Sequence, residues 1–218
     1  MARWLALFVA AALWPAQSPE TAVFAFPETF TGGFTQKQVF PDENGGEQTV
    51  EITGTGLTWT AFDDLPPMPG SHPSSANDSR IYRVSAGSIA VKITGHASNH
   101  GVNCTISGEQ TYSVAALRGA LTDFRLSIQA DKTYSLRLWM HSRALAVMTT
   151  HTCRISGRTL KDTVRDDGNT VMVALDVRKP LDARASDFSW VIAGTSDTRV
   201  PPPGTLEGSW KFVAPASR

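Results

Sequence analysis

Apolar residues recur at every second position through most of this chain, and that period limits what the chain can fold into more than any other feature. In SIAVKIT, Ile89, Val91 and Ile93 alternate with Ala90, Lys92 and Thr94. In DFRLSIQ, Phe124, Leu126 and Ile128 alternate with Arg125, Ser127 and Gln129. Tyr134, Leu136, Leu138 and Met140 form a third set, Val171, Val173, Leu175 and Val177 a fourth, and Phe188, Trp190 and Ile192 a fifth. Leu206, Trp210 and Phe212 close the series, and Leu145, Val147, Thr149, His151 and Cys153 share a face that begins apolar. A two-residue period puts one side of an extended strand on a core and the other in water, as antiparallel sheets do. Only residues 115–122 or 158–165 leave room for one short helix.

Turn chemistry separates the runs. Pro41-Asp42-Glu43-Asn44-Gly45-Gly46 predicts a reversal between strands near 28–40 and 47–62, and Asp167-Gly168-Asn169 predicts another before Val171. Residues 63–78 are a Pro- and Ser-rich loop, and Pro201-Pro202-Pro203-Gly204 is a stiff bridge into the last strand. The reading is all-β: an antiparallel β-sandwich of about 9–11 strands, favoured over a barrel.

The first eighteen residues carry one basic residue, Arg3, an apolar run from Trp4 to Trp14, and small residues at Ala16 and Ser18. That is the layout of a secretory signal peptide, too short to span a bilayer, so residues 1–18 are assigned to a leader and 19–218 to a single β-sandwich domain. The expected location is secreted or periplasmic. About 200 residues are enough to bury roughly 70% of the unfolded chain's surface in one core. Twenty basic residues match twenty acidic ones, and no basic run stands out, which argues against a nucleic-acid partner. No second apolar run is long enough for a transmembrane helix.

The two cysteines sit in nearly the same phrase, CTISG from Cys104 and CRISG from Cys153. In an exported chain an even cysteine count predicts pairing, and two cysteines allow one connectivity, Cys104 to Cys153. Two weaker echoes accompany them: Thr122-Asp123-Phe124 against Ser186-Asp187-Phe188, and Thr29-Phe30-x-Gly32-x-Phe34 against Thr205-Leu206-x-Gly208-x-Trp210. They raise the question of internal duplication. Similar strands ending in similar turns explain them equally.

Histidines crowd the cysteines. His96, His100 and His151 supply the donors for an alternative reading, a metal-binding protein or metal-dependent enzyme. Geometry already limits it. If the cysteines face each other across antiparallel strands, His151 falls opposite Ile106 and His100 lies about 20 Å away. No catalytic motif is evident, and no cofactor is implied. Asp63-Asp64 reads as a strand end, and Asp162, Asp166 and Asp167 read as hairpin-turn residues. Trp139 lies out of phase with the apolar side of its strand, alongside Arg137 and His141, and makes a candidate stacking platform for a ligand. The expectation is therefore a non-catalytic binding or structural module for an unidentified ligand, carbohydrate or protein, presented by loops 63–78 and 95–102 or by Trp139.

Overall fold

A computed structural model describes residues 26–41, 44–62, 79–121, 123–129, 133–140, 144–166, 173–181, 190–200 and 204–214. Within them are eleven strands: β1 (Thr29–Pro41), β2 (Glu47–Ala61), β3 (Ser79–Asn99), β4 (Val102–Ser113), β5 (Arg125–Gln129), β6 (Thr133–Trp139), β7 (Val147–Ile155), β8 (Arg158–Asp166), β9 (Ala174–Pro180), β10 (Trp190–Val200) and β11 (Gly204–Ala214). All pairings are antiparallel. One path runs β10-β11-β1-β2-β3-β4-β7-β8, while β5 attaches to β3 and carries β6 and β9. The predicted all-β sandwich is what the chain adopts: the sheet folds over itself without closing into a barrel.

The fork lies in β3. Its second half, Ser88–Asn99, pairs with β4, and its first half, Ser79–Arg83, pairs with β5. Between the two halves the register with β2 slips, with Thr55 opposite Ser88 but Thr58 opposite Ala86. Gly56 and Gly87 take positive φ there, +58° and +118°. A bulge of this kind bends and twists the strand that carries it. The strands attached on either side of the bend therefore leave in different directions, and β5-β6-β9 becomes a second layer over β11, β1 and β2.

Side chains from the alternating runs fill the space between the layers. Ile89, Val91, Phe124, Leu126, Leu136, Leu138, Leu206 and Phe212 are buried, as the period predicts, and Phe30, Phe34, Ile52 and Trp59 of β1 and β2 are buried with them. The Trp59 ring stacks on Phe124 at 6.5 Å and meets the edge of Phe212 at 5.3 Å. On β11, Trp210 Nε1 donates to the Tyr134 hydroxyl of β6 at 2.9 Å, tying the layers with a buried hydrogen bond. Opposite Leu175 of β9 stands Gly208, where a Cβ would lie 2.5 Å from Leu175 Cδ2. Only a residue without a side chain lets the layers approach so closely at that point.

Three local expectations are settled differently from one another. The short helix expected within 115–122 is a 3₁₀ helix, Val114–Ala120, capped by the Ser113 side chain, which accepts from the Ala116 amide. Residues 158–165 are strand β8, not a helix, because β7 supplies a continuous antiparallel partner from Arg158 to Asp166. The same pairing corrects Asp162 and Asp166, which lie within β8 and not in a turn. The 63–78 loop, Asp63-Asp64, Asp167-Gly168-Asn169, Val171, Phe188 and Pro201–Pro203 lie outside the described residues.

The disulfide joins Cys104 of β4 to Cys153 of β7, residues directly opposite in the register. Between them the chain leaves the first layer through the 3₁₀ helix, makes β5 and β6 in the second, and returns as β7. The bond thus closes the excursion that builds two of the three strands of the second layer. The CxISG echo, by contrast, is not structural. Ser156-Gly157 forms the β7–β8 turn, with φ +47° and +79°, whereas Ser107-Gly108 lies inside β4.

Two outcomes follow for stability. Gly87→Val introduces a Cβ 2.8 Å from the Gly56 carbonyl oxygen and the Leu57 Cα, at a φ that side chains avoid. It should cost about 2 kcal/mol or more, against about 1 kcal/mol for Gly45→Ala in open space, compared by urea unfolding. Replacing both cysteines by serine should lower unfolding free energy by about 4 kcal/mol, read in the same experiment.

Candidate functional site

Strand β6 presents Tyr134, Leu136 and Leu138 to the core and Ser135, Arg137 and Trp139 to the outer face of the second layer. Trp139 is 41% exposed, an unusual state for the largest side chain on a rigid strand. The register shows what surrounds it. Arg83 lies opposite Arg125, Arg125 opposite Arg137, and Arg137 opposite Asp176, so four charged residues form one row across β3, β5, β6 and β9. Directly opposed residues stand about 5 Å apart, and like charges so placed repel. Three adjacent arginines therefore work against the fold.

Each guanidinium has a partial counterweight. Arg83 sits 3.7 Å over the Phe62 ring. Arg125 Nη2 is 3.9 Å from Asp123 Oδ1, and Arg137 Nε is 3.5 Å from Asp176 Oδ2. These ion pairs are long and well exposed, so each contributes at most about 1 kcal/mol. Arg178, two residues beyond Asp176 on the same face of β9, donates to the Thr133 hydroxyl at 3.4 Å. The face thus combines a flat apolar ring with several guanidinium groups whose donors remain accessible, a surface suited to stacking against a ring and gripping anionic oxygens.

The two-residue period places Trp139 and Arg137 on the outward face, where the strand puts them. His141, the third member of that set, lies outside the described residues. Sequence reasoning missed Arg83 and Arg125, which are 42 residues apart in the chain and become neighbours only through the β3–β5 register. The out-of-phase arginine in DFRLSIQ was the available signal.

The three histidines of the metal reading do not converge. His96 lies opposite Thr105, and His151 lies opposite Ile106. Thr105 and Ile106 are successive residues of β4 and point to opposite faces, so His96 and His151 do too. His100 occupies the β3–β4 turn with φ +47°, followed by Gly101 at +81°, a two-residue hairpin loop. The 95–102 segment is therefore paired strand with a two-residue turn, not a long loop. Its small polar residues read as loop, but β2 and β4 pair with Gly95–Asn99 from both sides or one. His151 accepts or donates locally, its Nε2 lying 3.2 Å from Thr149 Oγ1. Among the described residues no group of three or more His, Cys, Asp or Glu side chains is arranged to hold a metal ion.

A small cavity of about 250 Å³ lies at the β4–β7 junction, lined by Tyr112, Ala144, Ala146, Met148 and Arg165. The Tyr112 hydroxyl donates to the Ala146 carbonyl across it. Family models, curated proteins and solved structures were all compared with the chain, and none matches it.

Beneath the Trp139 face, burial raises the Tyr134 phenol above its ordinary value, an effect the Trp210 hydrogen bond partly offsets. Because the folded state favours the neutral phenol, the stability it contributes is complete below pH 10 and is lost as pH rises through the folded value. Unfolding free energy should therefore fall above about pH 10, and Tyr134→Phe should flatten that decline in a pH series of urea unfolding curves.

Proposed function

We propose that this chain is an exported, non-catalytic binding module that takes its ligand on the outer face of β5-β6-β9. The observation that carries the reading is Trp139, exposed on a strand two residues from Arg137, which begins a same-face row with Arg125 and Arg83 on the neighbouring strands. A ligand that fits both elements has a flat apolar ring face and anionic groups along one edge, as a uronic-acid oligosaccharide does. The hydrogen-bond donors of guanidinium match carboxylate geometry in pairs, and the indole accepts the C–H face of a sugar ring. Export is supported by the leader-like residues 1–18, and a cross-strand disulfide suits an oxidising compartment.

The test uses the disulfide-intact protein and two probes, hexagalacturonate and the uncharged maltohexaose, with isothermal titration calorimetry as readout. Hexagalacturonate should bind and maltohexaose should not, with affinity falling as salt rises. Trp139→Ala should weaken binding by tenfold or more and Arg137→Ala by several-fold, neither with a lowered unfolding midpoint. No binding of hexagalacturonate, or equal binding by Trp139→Ala, overturns the proposal.

A further inference from the structure

The β7–β8 hairpin carries four of the five large hydrophobic side chains that stand exposed among the described residues: Met148, Ile155, Leu160 and Val164. Strand β8 ends the strand order, and among the described residues no strand pairs with its outer edge. Its residues are exposed from Arg158 to Arg165 on both faces. A nine-residue strand with one open edge offers backbone donors and acceptors to another strand, which is why such edges are normally protected by charge; here Asp162 Oδ1 accepts from the Thr163 amide at 2.8 Å and must release it on pairing. β8 does carry charges, at Arg158, Lys161, Asp162, Arg165 and Asp166. Their order decides which strand it accepts.

We infer that β8 pairs with β8 of a second copy of this chain, antiparallel about a two-fold axis at Asp162. In that register Leu160 faces Val164 of the other copy, and Arg158 faces Asp166, each pair occurring twice by symmetry. Lys161 faces Thr163, and Thr159 faces Arg165. Neighbouring registers that keep the same faces together fail. Centring on Lys161 sets Leu160 against Asp162 and Val164 against Arg158. Centring on Thr163 sets Lys161 against Arg165 and Leu160 against Asp166. The charges that repel other strands thus select this one.

One contact in the favoured register is adverse. Asp162 meets its own copy on the axis, and opposed like charges destabilise a strand pair. The contact is also small beside a stable interface, so the dimer is weak and forms reversibly. This interaction uses the β8 edge and is independent of the Trp139 face.

Sedimentation velocity of the disulfide-intact protein over a wide concentration range tests it. The wild type should show reversible monomer–dimer exchange, and Asp162→Asn should tighten the dimer several-fold. Leu160→Glu and Val164→Glu should each abolish it while leaving circular dichroism and the unfolding midpoint unchanged, since both side chains are exposed. Asp162→Cys should trap a covalent dimer under mild oxidation, because the two sulfurs meet on the axis. A chain that stays monomeric throughout, with Asp162→Asn monomeric as well, overturns the inference. A dimer that survives Leu160→Glu and Val164→Glu overturns it equally, by placing the contact elsewhere.

Discussion

One irregularity in the β2–β3 pairing sets the architecture. If β3 ran straight, β4 and β5 would compete for one continuous edge of it, and the second layer would have no way to leave the first. The bulge at Gly56-Leu57 and the positive φ of Gly87 break β3 into two segments, each with its own partner. A residue with a side chain at Gly87 would meet the backbone of β2, so the bend requires glycine there. Everything that distinguishes a sandwich from a single flat sheet, including the buried Trp59–Phe124 stack and the Trp210–Tyr134 hydrogen bond, follows from that bend.

The disulfide acts at the other end of the same problem. After β4 the chain must cross to the second layer, build β5 and β6, and come back to pair with β4 again as β7. Contacts this distant in sequence are entropically expensive to bring together. Cys104 and Cys153 lie at the point of return, so the bond removes much of that cost from the unfolded chain. It also holds β7 in place as the platform from which β8 projects, exposed along almost its whole length.

The outer face of the second layer and the β8 edge share a physical character. In both, polar and charged side chains stand beside exposed hydrophobic groups, and in both the arrangement costs the isolated chain some stability. Trp139 gains nothing from water, and the row Arg83, Arg125 and Arg137 sets like charges side by side. The proposed partners, one supplying anionic groups and the other a matching strand, would relieve these costs.

Much of this was legible in the residues. The two-residue period assigned the buried apolar side chains of β5, β6, β11 and the second half of β3, and it placed Trp139 and Arg137 outward, because alternation on a strand is a local property of the backbone. The cysteine pairing followed from there being two, and the position of His151 opposite Ile106 followed from the pairing. What local pattern could not decide was which strand lies beside which. Gly95–Asn99 looked like loop until β4 paired with it, and Lys161 and Asp162 looked helical or turn-like until β7 did. Gln36 and Gln38 are buried in core positions of β1 that polarity alone would have placed outside. The arginine row, the separation of His96 from His151, and the fork in β3 all depend on inter-strand register. Register is a long-range choice made by packing two layers together, and the sequence expresses it only once the whole chain has folded.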